Sequence, residues 1–126
     1  MIGPKAYIDS SRLKNNILNI KEAIGDRHLM LVIKANGYGH SSTKVANILK
    51  YDKSLIFCTF SIGEALEIRN NGINNKILIF SKLQEEWIHL ASKYNIWVNA
   101  SNFNDLVLLA KFFIKNRTCP KIHLKF

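Results

Sequence analysis

The sequence lacks the marks of several protein classes. It has only two cysteines, Cys58 and Cys119, and no Cys-x-x-Cys pair or Cys/His cluster at metal-ligand spacing, so neither a zinc site nor a disulfide framework is indicated. The amino terminus, MIGPKAYIDS, has no apolar signal-peptide core. No apolar run approaches the roughly 18 residues that a membrane helix needs. We therefore expect buried, reduced thiols in a cytoplasmic protein without a membrane segment.

Nucleotide-binding motifs are also missing, since the chain contains neither a GxGxxG nor a Walker sequence. The net charge of +9 comes from 18 basic and 9 acidic residues, which could suit a nucleic acid. However, the basic residues are scattered, and no basic stripe with interleaved aromatics occurs. Biased composition, with lysines on solvated helix faces, is the favoured interpretation, and no nucleic-acid partner is expected.

The chain has enough apolar sequence for a buried core. Hydrophobic residues make up 48% of its 126 residues, which argues against disorder. The length suits one domain, although it is about half of an ordinary barrel of roughly 250 residues. Because no linker rich in Ser, Gly or Pro divides it, residues 1–126 are interpreted as one domain.

Apolar runs alternate with amphipathic stretches. An extended candidate at 5–9 precedes a helix that Ser10 or Ser11 would cap and that Gly25 would end. Strands are predicted at 29–33, 55–59, 76–80, 96–98 and 121–126, and the intervening helices around 43–49 and at 62–69, 84–94 and 103–115. Repeated β-α-β units with right-handed crossovers predict a parallel sheet. The pattern alone leaves open whether this is a doubly wound sheet or part of a barrel.

The last predicted strand has no helix after it. Five strands of a barrel would leave two open edges, and open edges invite pairing with other chains. We therefore expect an incomplete barrel that is a fragment or needs a partner.

The segment Lys34-Ala-Asn-Gly-Tyr-Gly-His40 is where chemistry is indicated. Lys34 ends a buried apolar run, at the carboxyl end of a strand, where reactive groups of α/β folds gather. Burial favours the neutral lysine amine that attack on a carbonyl requires. Gly37 and Gly39 would let the backbone approach a ligand, and the Tyr38 hydroxyl could donate to a phosphate. The alternatives are a lysine that extends its ammonium to solvent and ordinary turn glycines.

This segment resembles the signature of alanine racemases, Lys-Ala-Asn-Ala-Tyr-Gly-His-Gly. Other stretches also resemble that family, so the likeness spans essentially the whole chain: Ala6-Tyr-Ile-Asp9, Gly63-Glu-Ala-Leu-Glu-Ile-Arg69, Ile77-Leu-Ile-Phe-Ser81 and Lys121-Ile-His-Leu-Lys-Phe126. The resemblance implies about the first half of a (β/α)8 TIM-like barrel, the N-terminal part of the cofactor domain, without the C-terminal β-domain.

The resemblance also implies roles for single residues. Lys34 would hold pyridoxal 5'-phosphate covalently and serve as the base for the D-enantiomer, while Tyr38 would bind the phosphate. Phe80 would lie near the cofactor ring, where the family usually has leucine; core packing is the alternative. Lys125 matches a lysine that many members carry as a carbamate, but an exposed, unmodified lysine is expected here. Gly37 and Ser41 replace the family's usual alanine and glycine, and Ser41 could strain the turn if its φ is positive.

The activity implied is racemisation of L- and D-alanine for peptidoglycan precursors. The family's second base is a tyrosine of the partner subunit's C-terminal domain, beyond this sequence. The chain alone is therefore not expected to be a competent enzyme, and a complementing chain or a homodimer is a possible partner. The alternatives are an inactive truncated remnant and a pyridoxal-phosphate-binding module without racemase activity.

Other titratable residues are expected to be structural. His40 is given a supporting role in the motif, and His89 and His123 are expected to be partly buried. Glu64 and Glu67 are expected on a solvated helix face.

Overall fold

The computed structural model describes residue 3 and residues 5–126 of the chain. Over these residues the strands are β1 (Met30–Val32), β2 (Ile56–Thr59), β3 (Lys76–Ile79), β4 (Trp97–Ala100) and β5 (Ile122–Leu124). The helical segments are α1 (Ser10–Ile24), α2 (Lys34–Tyr38), α3 (Ser42–Leu49), α4 (Ile62–Asn70), α5 (Glu85–Lys93) and α6 (Phe103–Asn116).

The five strands form one parallel sheet in the order β1-β2-β3-β4-β5, with pairs such as Leu31 with Phe57 and Asn99 with His123. A doubly wound sheet would reverse its strand order and carry helices on both faces. Here the order never reverses, and the helices pack on one face. The architecture is therefore a partial (β/α)8 barrel, which confirms the fold that the resemblance implied.

Alternation along the strands divides the sheet into two faces. Strand residues such as Phe57, Ile77 and Val98 join helix residues such as Ile68 and Leu109 in the main core. The opposite face has a small cluster that consists of strand residues and of Phe80, which follows β3: Ile56, Cys58 and Leu78 are buried, with Met30, Val32, Phe80 and Trp97 packed against them. We call this second side the uncovered face, and it corresponds to the inside of a barrel.

Two local predictions at the start of the chain are wrong. Residues 5–9 form no strand, and the Tyr7 side chain is 89% exposed. The cap of α1 is Asp9 rather than Ser10 or Ser11, because its carboxylate accepts from the backbone N–H groups of Ser11 and Arg12 at 2.9 and 3.1 Å. An aspartate in extended conformation caps as well as a serine does.

Both thiols are free, as expected, but only Cys58 is fully buried; Cys119 is half-buried. Burial raises the pKa of Cys58 to about 12, so this thiol stays protonated at neutral pH. Among the described helices, none is long and apolar enough to cross a membrane.

Candidate active site

Side chains from all five strands meet at the carboxyl ends of the sheet. Lys34, Phe60 and Phe80 follow β1, β2 and β3, while Asn99 lies in β4 and Lys125 follows β5. Together with two further residues they line a cavity of about 430 Å³: Met30, Lys34, Phe60, Phe80, Asn99, His123 and Lys125. This volume suits a small molecule or a cofactor. In (β/α)8 barrels this end of the sheet is where active sites lie.

Lys34 is half-buried, and its amine reaches the aromatic side of the cavity. Its Nζ lies 5.9 Å from the centroid of the Phe60 ring, within the range of a cation–π contact. Neither of the two ion pairs among the described residues involves Lys34. The amine is therefore placed by its backbone and by an aromatic neighbour, and it remains available to a ligand.

The turn that carries Lys34 is left-handed. Ala35, Asn36, Gly37 and Tyr38 all have positive φ, from 51° to 62°, and we call α2 the lysine turn. Each L-residue in this conformation costs roughly 1–2 kcal/mol. A run of such residues persists only where the surroundings determine it, and such strain clusters at functional sites. Residues 36–42 (NGYGHSS) predict a turn, and the positive φ angles confirm one from residue 35 onward, but its hand was not predicted.

Backbone and side-chain hydrogen bonds in and around the lysine turn offset this strain in part. Within the turn, the N–H groups of Gly37 and His40 donate to the carbonyls of Ile33 and Gly37, each at 3.0 Å. The Asn36 side chain accepts from the backbone N–H of Ser42 at 3.3 Å. His40 Nδ1 lies 3.1 Å from the Gly37 carbonyl and donates to it in the tautomer that carries the proton on Nδ1.

Ser41, which was expected to strain the turn only if its φ is positive, does have a positive φ of 65°. Its hydroxyl accepts from the Lys44 N–H at 3.4 Å and so caps α3. The strain that the departure from glycine implied is therefore present, and the cap offsets it in part.

Gly37 is needed in this chain. A Cβ at this position would lie 3.0 Å from the backbone nitrogen of Ser42, at a φ of +62°. We expect Gly37→Ala to lower the free energy of unfolding by about 1–2 kcal/mol, measured by urea denaturation. Gly63→Ala is the matched control, because Gly63 is helical and its Cβ would meet only the Ser61 hydroxyl at 3.8 Å. Equal stability of the Gly37 variant and the wild type would contradict the strained turn.

One of the residues that line the cavity, Asn99, has a side-chain oxygen without a hydrogen bond to the described residues. Asn99 is 4% exposed, and its Nδ2 donates to the Phe80 carbonyl at 3.1 Å. This bond fixes the amide orientation, because a carbonyl can only accept. The Asn99 Oδ1 is buried and has no hydrogen-bond partner among the described residues. A buried acceptor of this kind is costly, so a ligand that offers a donor would be favoured here.

The other residues singled out in the sequence are placed as follows. Phe80 lines the cavity. Tyr38 lies on the lysine turn, is 59% exposed, and is not among the described cavity-lining side chains. Lys125 is exposed, as expected, and His123 lines the cavity. The expectation that His89 and His123 are partly buried is wrong, since both are exposed.

Sequence reasoning missed Phe60 and Asn99, and its expectation for Glu64 was wrong. Glu64 was expected on a solvated helix face. Instead, its carboxylate accepts hydrogen bonds from the backbone N–H groups of Ala35 and Phe60, each at 2.7 Å. Glu67 is exposed, as expected. Phe60 and Asn99 were not singled out at all. The available signal was position, since both lie at the carboxyl end of a strand.

Comparison with known proteins places the chain in a family. The family model for "Alanine racemase, N-terminal domain" matches residues 8–126. An alanine racemase of Fusobacterium nucleatum is 35% identical over 119 residues, covering 94% of this chain and 32% of that protein.

Solved structures agree with this. The alanine racemase of Oenococcus oeni matches with a TM-score of 0.80 at 27% identity, covering 91% of this chain and 33% of its own. The alanine racemase of Clostridium difficile 630 in complex with cycloserine matches with a TM-score of 0.84 at 25% identity, covering 92% and 31%. The chain thus spans about a third of the length of these relatives.

Proposed function

The chain belongs to the alanine racemase family, and on that premise we propose that it forms the lysine-bearing part of a pyridoxal-phosphate-dependent alanine racemase. The observation that carries the proposal is the placement of Lys34, whose strained turn stands beside a cavity lined from five strands. Strain at the base of a half-buried amine is typical of a residue held for chemistry.

The residues present fit pyridoxal phosphate. The cofactor has an aldehyde, an aromatic ring with polar substituents, and an anionic phosphate. The cavity offers the amine of Lys34, the rings of Phe60 and Phe80, and the cation of Lys125. The unpartnered Oδ1 of Asn99 could accept from a donor on the ring or on a bound amino acid. In this proposal Lys34 attaches the cofactor, Phe80 packs beside its ring, and the exposed Tyr38 hydroxyl donates to its phosphate.

The chain's own contribution to racemisation would be one proton transfer. When bound, the cofactor withdraws electrons from the substrate α-carbon and so makes the α-proton acidic. The Nζ of Lys34 would then remove and return the proton on the face that belongs to D-alanine. Inversion also needs a base on the opposite face, which in this family comes from the C-terminal domain of a partner subunit. We propose that a complementing chain or a homodimer supplies it, and that D-alanine for peptidoglycan precursors is the product.

The proposal is tested by α-proton exchange in heavy water. The purified chain is incubated with pyridoxal phosphate and either D- or L-alanine, and loss of the α-proton signal is followed by NMR. Because the chain holds the base of one face only, we expect faster exchange of D-alanine than of L-alanine, with retention of configuration. Equal, slow exchange of both enantiomers, at the rate of free cofactor, would contradict the racemase assignment. If the cofactor nevertheless binds, the cofactor-binding module becomes the better account.

A further inference from the structure

One carboxylate accepts hydrogen bonds from two residues next to Lys34, one in sequence and one in space. Glu64 lies in the first turn of α4, and its two oxygens accept from the N–H groups of Ala35 and Phe60, each at 2.7 Å. The first of these groups directly follows Lys34. The second belongs to the residue whose ring lies 5.9 Å from Lys34 Nζ. A single side chain therefore connects the segments that follow β1 and β2.

This arrangement departs from ordinary helix capping. Ser61 caps α4 by accepting from the Glu64 N–H at 3.3 Å, and in a capping box the glutamate would in turn accept from the cap residue's own N–H. Here the carboxylate accepts instead from Phe60, one residue before the cap, and from Ala35 in the lysine turn after β1. The helix therefore gains its cap from Ser61, while Glu64 serves the backbone of the lysine turn.

We propose that Glu64 is a positioning residue for Lys34, acting through the backbone N–H groups of Ala35 and Phe60. It holds the left-handed turn and the Phe60 backbone in one arrangement, so that the amine is presented to the cavity. Glutamate suits this task because a carboxylate only accepts hydrogen bonds and can take one on each oxygen. The role in cofactor attachment rests on the function proposed for Lys34.

The first arm of the test needs no cofactor. Amide hydrogen exchange is measured by NMR for Ala35 and Phe60 in the wild type, Glu64→Ala and Glu64→Gln. Loss of a charged hydrogen bond should speed exchange of both amides roughly tenfold or more in Glu64→Ala. Glu64→Gln should release one amide, since its NH₂ group cannot accept. Glu67 lies about one helical turn after Glu64 and is exposed. Glu67→Ala should therefore leave the exchange rates of both amides unchanged. Unchanged protection in Glu64→Ala would overturn the proposal.

The second arm measures attachment of pyridoxal phosphate. Attachment forms a C=N bond between Nζ and the aldehyde carbon with release of one water, and borohydride then delivers hydride to that bond, leaving a stable mass increment. We expect attachment in Glu64→Ala to slow roughly tenfold to a hundredfold. Ser61→Ala is the control, because it removes the cap of α4 without touching the lysine turn, and its rate should match the wild type.

The outcomes separate the two proposals. Attachment at wild-type rate in Glu64→Ala would overturn the positioning role while the proposed function stands. Equal slowing in Ser61→Ala would show that Glu64 acts through helix stability alone, which also overturns it. No attachment in the wild type would remove the proposed function and the role in attachment with it, while the exchange arm would still report whether Glu64 holds the turn.

Discussion

In Lys34→Ala, the visible absorbance band that pyridoxal phosphate acquires on binding the chain is expected to vanish completely. Alanine offers no amine. Lys125 also lines the cavity, but it follows β5 and is exposed, whereas Lys34 Nζ lies 5.9 Å from the centroid of the Phe60 ring at the carboxyl end of β1. The cofactor could then bind only through weaker contacts to the remaining side chains. Absorbance titration of wild type and variant measures the effect.

Lys44→Ala is the matched control for this prediction. Lys44 lies in α3 soon after the lysine turn, is exposed, and plays no part in the cavity. Its variant should keep the full band. A band of equal strength in Lys34→Ala and wild type would show that surface amines bind the cofactor, and the site proposed here would be wrong.

Arg69→Ala is expected to lower the free energy of unfolding by about 3–5 kcal/mol, since hydrogen bonds from a charged donor contribute about 1.5–3 kcal/mol each and the carbonyls left behind lose their partner. The guanidinium donates to four backbone carbonyls: Ile73 and Asn75 before β3, each at 2.7 Å, and Tyr94 and Asn95 before β4, each at 2.9 Å. Burial lowers the pKa of Arg69, but an arginine remains charged at neutral pH.

Two further variants keep the Arg69 prediction testable if the alanine variant does not fold. Arg69→Lys retains the charge but not the planar fork, so an intermediate loss is expected. Arg27→Ala is the control, because among the described residues its exposed side chain donates only to the Ile24 carbonyl, at 3.2 Å, and its effect should stay within about 0.5 kcal/mol. Urea denaturation measures all three. If Arg69→Lys were as stable as the wild type, the four hydrogen bonds of the guanidinium would not make the contribution proposed here.

Glu64 and Arg69 lie on the same helix and serve opposite ends of the sheet. Glu64 holds the carboxyl ends of β1 and β2, where Lys34 lies, while Arg69 holds the segments that enter β3 and β4. In barrels the carboxyl ends of the strands carry the catalytic residues, and the amino ends contribute to stability. Variants at Arg69 should therefore reduce stability without a specific effect on cofactor attachment.

Periodicity was sufficient for most of the fold. Continuous apolar runs marked strands such as β2 and β3, and amphipathic spacing marked the helices between them, because burial on one or both faces dictates these patterns. The alternation of strand and helix patterns in the sequence could not distinguish a doubly wound sheet from a barrel. That choice depends on which face the helices cover, and it is visible only in the strand order and in the second, uncovered face.

The site was predictable where it depends on local sequence and not where it depends on distant contacts. Lys34 and its turn follow from a strand, a lysine and two glycines. The partners of Glu64 lie 29 and 4 residues away, at Ala35 and Phe60, and a glutamate in a first helical turn ordinarily faces solvent. The left-handed turn makes one such distant contact, because the Ala35 N–H donates to Glu64, 29 residues further along the chain.

The most direct test of the central claim is to map where pyridoxal phosphate attaches. The wild-type chain is incubated with a stoichiometric amount of the cofactor, reduced with borohydride, digested, and analysed by peptide mass spectrometry. We expect one increment per chain, on the peptide that contains Lys34, with the other lysines unmodified. Increments spread over the surface lysines, or none at Lys34, would contradict the assignment of this lysine as the attachment point.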